Sequence, residues 1–167
     1  WGNLVMTRDR AGGVTVSQYD SRGRRSASVT PQGVRTDWEW DDSDRLTSLT
    51  VTVPVPPEET VGEGAGSAGA GTDSSWAAAA PAVTRFTYAG EDRNPSTITD
   101  PEGGVTRLVW DATLLQAVTD PEGVELTFAW DAHGDLVGVT NALGQRASLV
   151  RDAAGQVVEA VSPSGAR

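Results

Sequence analysis

Thr119-Asp120-Pro121-Glu122-Gly123-Val124-Glu125-Leu126-Thr127-Phe128-Ala129-Trp130-Asp131-Ala132-His133-Gly134-Asp135-Leu136 decides the reading of this chain. Two turn signals, Asp120-Pro-Glu-Gly123 and Asp131-Ala-His-Gly134, bracket a short segment whose residues alternate in character. Proline at the second turn position presets φ, and glycine at the fourth accepts φ > 0. Alternation over Thr127 to Trp130 is the period of a strand, not of a helix. The stretch therefore reads as one outbound strand between two reverse turns, followed by a returning segment over Asp135 to Thr140.

The same unit recurs along the chain. Segments ending in an aromatic residue, usually followed by Asp, close at Tyr19-Asp20, Trp40-Asp41, Tyr88, Trp110-Asp111 and Trp130-Asp131, and a degenerate copy closes at Arg151-Asp152. Most steps are 20 to 22 residues. The DSRG, DAHG and DAAG turns place Gly23, Gly134 and Gly155 just after the aromatic position. A second register of turns lies between them: TPQG at Gly33, DPEG at Asp100-Pro101 to Gly103, DPEG at Asp120-Pro121 to Gly123, NALG at Gly144 and SPSG at Gly165. Short Val-, Leu- and Thr-rich strands at 8–12-residue spacing, punctuated by Gly, Pro, Asp and Asn, define an all-β array of antiparallel β-hairpins repeating every 21 residues or so. Tyr19, Trp40, Tyr88, Trp110 and Trp130 hold equivalent places and are expected to stack as a column across the sheet, beside a second column of Trp38, Phe86, Leu108 and Phe128. Core packing is the expected role of both columns. Arg151 interrupts the first, so its repeat is expected to be the weakest link.

One stretch is out of period. Residues 54–82 are rich in Gly, Ala and Pro and read as a loop insertion within a single repeat segment covering 1–167. This composition cannot bury enough apolar surface to order itself unaided; Trp76 with Ala77 to Ala80 is the exception that could dock on the sheet or form one helical turn. Both ends fall inside a repeat, as expected of a segment excised from a longer protein.

Charge and residue inventory exclude several function classes. The formal net charge is -10, which opposes binding to nucleic acid or to anionic membrane surfaces. No apolar run reaches the roughly 18–20 residues of a membrane span, so membrane insertion by this segment is not expected. Cysteine is absent, which removes disulfides and thiolate metal sites. Thirteen basic residues are all arginine and the only isoleucine is Ile98, a codon signature of a high-GC genome.

Tests for chemistry find little. His133 is the only histidine and sits in a turn, without the partners of a catalytic triad. Gly64 to Gly69 fits G-x-G-x-x-G in letters but lies in the low-complexity run with no helix behind it. Asp41, Asp42 and Asp44 cluster in one turn and are the candidate calcium ligands, although the spacing is not that of an EF-hand. Glu58 and Glu59 are adjacent in the insertion and cannot hold the fixed separation of a glycosidase pair. No catalytic residue and no cofactor are assigned. The aromatic columns, if exposed, could stack on sugar rings.

YDSRGR, WDAHGDL, TDPEGGVT and TDPEGVELTFAWD resemble the YD repeats of the Rhs family, shared with toxin-complex cocoon proteins and teneurins. The resemblance covers nearly the whole chain outside the insertion. This sequence departs from the pattern where Trp replaces Tyr before Asp, where Ala89 follows Tyr88, and where Asp111-Ala-Thr-Leu lacks the glycine. The resemblance implies a curved sheet that is part of a larger spiralling β-shell, secreted or at the cell surface of bacteria, enclosing and delivering a C-terminal toxin or effector. Some family members cleave themselves near a DP-containing motif beyond the repeats, whereas Asp100-Pro101 and Asp120-Pro121 read as ordinary turns inside them. A sheet of about a dozen strands at ~4.8 Å spacing is roughly 60 Å wide and must twist and curl. The implied partners are the rest of the shell and its enclosed domain; the alternative is an adhesion module that binds a surface protein or glycan.

Overall fold

The computed structural model describes residues 3–55, 77–152 and 154–164. All regular structure among them is strand. In chain order the elements are β1 (Leu4–Arg8), β2 (Val14–Tyr19), β3 (Arg25–Val29), β4 (Arg35–Trp40), β5 (Leu46–Thr52), β6 (Pro54–Val55), β7 (Ala77–Ala78) and β8 (Ala82–Tyr88). They continue with β9 (Pro95–Thr99), β10 (Val105–Asp111), β11 (Leu114–Thr119), β12 (Glu125–Trp130), β13 (Leu136–Asn141), β14 (Arg146–Arg151) and β15 (Val157–Val161). Thirteen strands follow chain order in the main sheet, and β6 pairs with β7 in a separate ladder. The chain divides into two compact units, one from residues 1–41 and 48–83 and the other from 42–47 and 84–167.

In the second unit the registers sort side chains by face. Phe86 lies opposite Ile98, Leu108 opposite Val118, Val118 opposite Leu126, Phe128 opposite Val139 and Leu149 opposite Ala160. Residues two apart share a face, so these pairs form an apolar surface. The reverse face pairs Thr87 with Thr97, Arg107 with Thr97 and Thr119, Thr119 with Glu125, and Thr127 with Thr140. In the first unit Val16 faces Val29, and Ser17 faces Ser28 on the other side.

The expectation that the aromatic columns are a packed core meets a different burial pattern. Among the described residues no large side chain is fully buried; the buried ones are small, namely Ala27 at 4%, Ser48 at 7% and Ser17 at 9% exposure. Trp38, Trp40, Tyr88, Trp110, Phe128 and Trp130 are all half-buried. A sheet face shades small residues between larger neighbours but leaves the large ones half open. Stability here therefore comes from neighbour-to-neighbour contacts along the array rather than from a central core.

The insertion expected over 54–82 is not loop throughout. Pro54 pairs with Ala78 and Val55 with Ala77, and the Ala79 amide donates to the Val53 carbonyl at 3.0 Å. Glu58, Glu59, Gly64 to Gly69 and Trp76, like Gly165, lie outside the described residues.

Candidate functional site: turn, bulge and latch

Eight turns share one hydrogen-bond scheme. In the turn that starts at Asp131, the Asp131 amide donates to the Asp135 carbonyl at 3.0 Å, and the Gly134 amide donates back to the Asp131 carbonyl at 3.1 Å. The same two bonds recur in the turns that begin at Asp9, Asp20, Thr30, Asp100, Asp120, Asn141 and Asp152. Both registers of the sequence thus fold into one turn type. The fourth residue is always glycine in the left-handed region, with φ 83° at Gly134 and 92° at Gly103. The carboxylate supplies the rest: Asp131 Oδ1 accepts from the His133 amide at 2.8 Å and from the Asp135 amide at 3.0 Å. Asp20, Asp152 and Asn141 accept from their own second and fourth amides in the same way.

These bonds favour the charged carboxylate. The Asp135 and His133 amides hold the Asp131 carboxyl below its ordinary value. At Asp20, desolvation pushes upward, but the Arg24 amide and guanidinium and the Arg22 amide outweigh it together, and the group again lies below its ordinary value.

The two turn registers differ in the strand that leaves the turn. After the turns that follow Tyr19, Tyr88, Trp110, Trp130 and Arg151 the returning strand carries a β-bulge. Ala129 pairs with Gly138 but Trp130 pairs with Leu136, so Val137 is the extra residue. Ser26, Ser96, Gln116 and Val158 are skipped in the same way opposite Tyr19, Tyr88, Trp110 and Arg151. A bulge breaks the ladder locally and re-aims its groups. Pro95, which has no N–H to offer a ladder, begins the return at one of these sites.

In five returns the first or second residue is also the acceptor of a latch. The Trp130 indole N–H donates to the Leu115 carbonyl at 2.8 Å, Trp110 to the Pro95 carbonyl at 2.8 Å and Trp40 to the Arg25 carbonyl at 2.8 Å. Donor and acceptor are 15 residues apart in each case. The Tyr88 hydroxyl donates to the Leu46 carbonyl at 2.7 Å across an interval of 42 residues that spans the insertion. Arg151 overturns an expectation. Its Nε and Nη2 both reach the Leu136 carbonyl at 3.3 Å, again 15 residues back, and its Nη1 donates to the Gly155 carbonyl at 2.7 Å. The guanidinium makes the bond that indole and phenol make elsewhere, so the position is latched rather than broken.

Arginines add a second tie in two turns. Arg24 bonds Asp20 Oδ2 at 2.7 Å and the Asp41 carbonyl at 2.8 Å while its guanidinium lies 5.8 Å from the Trp40 ring. Arg45 donates to the Gly90 and Asp92 carbonyls at 2.7 and 3.0 Å and lies 4.7 Å from the Tyr88 ring.

Other candidate positions take structural places. Asp44 fills the glycine slot of its turn with φ 62°, and Asp41 is tied through its carbonyl to Arg24. Among the described residues no three acidic or histidine side chains group as metal ligands. Asp111 is not a turn former. It ends β10 opposite Leu114, and Ala112 takes φ 51° in the two-residue connection. His133 is 86% exposed, with Nδ1 3.9 Å from Asp131 Oδ1. The cleft of about 300 Å³ beside it is lined by Asp131, Asp135, Arg151 and Asp152, and among the described residues no hydroxyl or thiol lines it. A second cleft, about 510 Å³, is lined by Asp92, Arg93, Asn94, Trp110, Ala112 and Thr113. Among the described residues no helix is long and apolar enough to cross a membrane. The bulges and their carbonyl acceptors escape sequence reading because backbone atoms leave no side-chain signature; the constant 15-residue interval could have exposed them.

Repeated hairpins, a shared turn type and a recurring latch define a tandem β-hairpin repeat protein. The family described as RHS Repeat matches residues 19–53, 110–146 and 130–167, more than half of the chain, and the chain belongs to that family. No curated protein is significantly similar to it. Among solved structures it is similar to a TcdB2-TccC3 crystal structure at 14% identity, with a TM-score of 0.33, covering 96% of this chain and 12% of that one. The crystal structure of TcdB2-TccC3-Cdc42 gives 14% identity and a TM-score of 0.31, covering 95% and 12%. The chain thus spans about an eighth of the length of the structures it matches.

Proposed function

We propose that this chain is a non-catalytic segment of a secreted or cell-surface shell, whose repeats form wall around a C-terminal toxin or effector. The observation that carries the reading is the latch series. Five repeats spend the side chain at the aromatic position, Trp40, Tyr88, Trp110, Trp130 or Arg151, on holding the neighbouring repeat. Among the described residues His133 stands in solvent, and no hydroxyl or thiol lines the cleft beside it. Family membership and a segregated apolar face in the second unit support a wall with two different sides. The partners in this reading are the remainder of the shell and its enclosed domain, and residues 1–167 act as one repeat segment carrying the 54–82 insertion. The test is protease protection of the C-terminal region in the polypeptide that contains these repeats. That region should resist digestion while the repeats are folded and be cut once denaturant melts them. Equal digestion in both states would overturn the enclosure.

A second reading, recognition of a surface glycan or protein, is favoured by one observation. The Trp110 cleft combines an indole with Asp92, Arg93 and Asn94, a set able to stack on and hydrogen-bond a sugar. Glycan-array binding that Trp110→Ala leaves unchanged would remove it.

A further inference from the structure

One latch acceptor is out of character. Leu46, Pro95, Leu115 and Leu136 give their carbonyls to a latch and carry apolar side chains, whereas Arg25 in the same place carries a cation. The Trp40 indole pins its backbone at 2.8 Å, and its exposed guanidinium lies 5.4 Å from the Trp38 ring and 5.9 Å from the Tyr19 ring. Nη2 stands 3.5 Å from the Tyr19 hydroxyl, and among the described residues no carboxylate pairs with the group. The acids on the adjoining strands and turn are committed elsewhere, Asp20 to Arg24 and Asp37 to Arg35. The surrounding face is out of character too. Ser17 lies opposite Ser28 and Ser28 opposite Thr36, where the matching places in the second unit hold Leu108, Val118 and Leu126. Ser17 shares its face with Tyr19, and Thr36 with Trp38. A charge and a row of hydroxyls at positions that other repeats fill with apolar groups break the local rule, and such breaks are expected at functional sites.

We propose that Arg25, Tyr19 and Trp38 form a docking site for an extended polypeptide segment that presents one carboxylate beside an apolar side chain. An arginine lodged against aromatic rings is held in place, and its planar fork matches a carboxylate in two parallel bonds. The rings offer flat apolar surface to the neighbouring side chain, and the half-buried Ser28 and Thr36 offer hydroxyls to a main chain. The cluster crosses β2, β3 and β4, two strand spacings or roughly 10 Å. That is the reach of about three extended residues and more than a free small acid covers. Charge narrows the occupant further. One unpaired cation on a chain of net charge -10 suits a single carboxylate, whereas a polyanion meets repulsion from the rest of the surface. The assignment rests on this cluster alone, whatever a wall encloses and whatever the Trp110 cleft binds.

The test is an NMR titration of the full 167-residue chain with the amide-capped peptide GGLELGG and its Gln counterpart GGLQLGG. The Glu peptide should shift the Arg25 side-chain N–H and the Trp38 indole N–H while leaving the Trp130 indole unmoved. The Gln peptide should bind about tenfold more weakly, the worth of one charge-assisted hydrogen bond. Arg25→Leu installs the side chain found at Leu115 and Leu136, so it should keep the parent's urea midpoint and bind both peptides equally weakly. Arg25→Lys keeps the charge and loses the fork, and its affinity should lie between those of the parent and the Leu variant. It decides the question alone if the Leu variant melts early. Equal binding of the two peptides, shifts centred on Trp130, or sodium acetate that matches the affinity of the Glu peptide would each overturn the proposal. So would an Arg25→Leu or Arg25→Lys chain that binds the Glu peptide as tightly as the parent. Heparin that binds more tightly than the Glu peptide would also overturn it, by making the site one for polyanions.

Discussion

At residue scale the turn reveals where single positions are out of tune. Ala112 occupies the left-handed region at φ 51° although its side chain favours the right-handed one. Glycine removes that penalty at some cost in unfolded-chain entropy, so Ala112→Gly should stabilise by about 0.5–1 kcal/mol, read as a higher urea midpoint. Asp44→Gly should gain less, because Asp tolerates this region better than Ala. Thr30 is the opposite kind of misfit. It starts a turn with both backbone bonds in place, yet its buried hydroxyl has no partner. Asn141 fills the equivalent place and accepts from the Leu143 and Gln145 amides at 3.1 and 3.0 Å. Thr30→Asn should therefore gain about 0.5–1 kcal/mol in the same melts; a loss would mean the side-chain cap adds nothing to this turn.

At the scale of the element, strand ends matter more than strand middles. Trp130→Phe keeps most of the ring contacts and removes one donor, leaving the Leu115 carbonyl open. The expected cost is about 1 kcal/mol by denaturant melt. Trp130→Ala should cost about 2–3 kcal/mol, below the roughly 3–5 typical of a buried aromatic, since Trp130 is only half-buried. His133→Ala, at a side chain 86% exposed, should stay within about 0.5 kcal/mol of the parent. Strand order and turn type are legible in the sequence because Asp, Pro and Gly write turns in side-chain chemistry. The aromatic column is legible as a position but not as a role. Tyr, Trp and Arg look unlike one another until the acceptor is known, so hydrophobicity assigns the aromatics to a core and Arg151 to a defect. Asp111 misleads in a related way: the dipeptide Trp110-Asp111 is intact, but the missing glycine shortens the connection and draws Asp111 into the strand.

At the scale of the whole molecule, acid should find the turns before the strands. The Asp20 and Asp131 carboxyls lie below the ordinary value of 3.8 in the folded chain. Their stabilisation is complete above that unfolded-state value and is lost as pH falls below it through the folded value. The urea midpoint should thus hold steady at neutral pH and drop once pH passes below about 4. Asp131→Asn, which retains one acceptor oxygen as Asn141 does, should show a shallower drop than the parent. Parallel curves for the two proteins would assign the acid sensitivity to other carboxylates.

The short β6–β7 ladder has a consequence for how such a chain can change. Pro54 and Ala78 face each other, so the polypeptide leaves the array and re-enters it at a single clasp. Tyr88 still finds the Leu46 carbonyl across it, the same bond other repeats make over 15 residues. Segment length at this point is thereby uncoupled from the spacing of the sheet, and a lineage of such proteins is free to exchange, lengthen or delete the segment without re-solving how one hairpin holds the next.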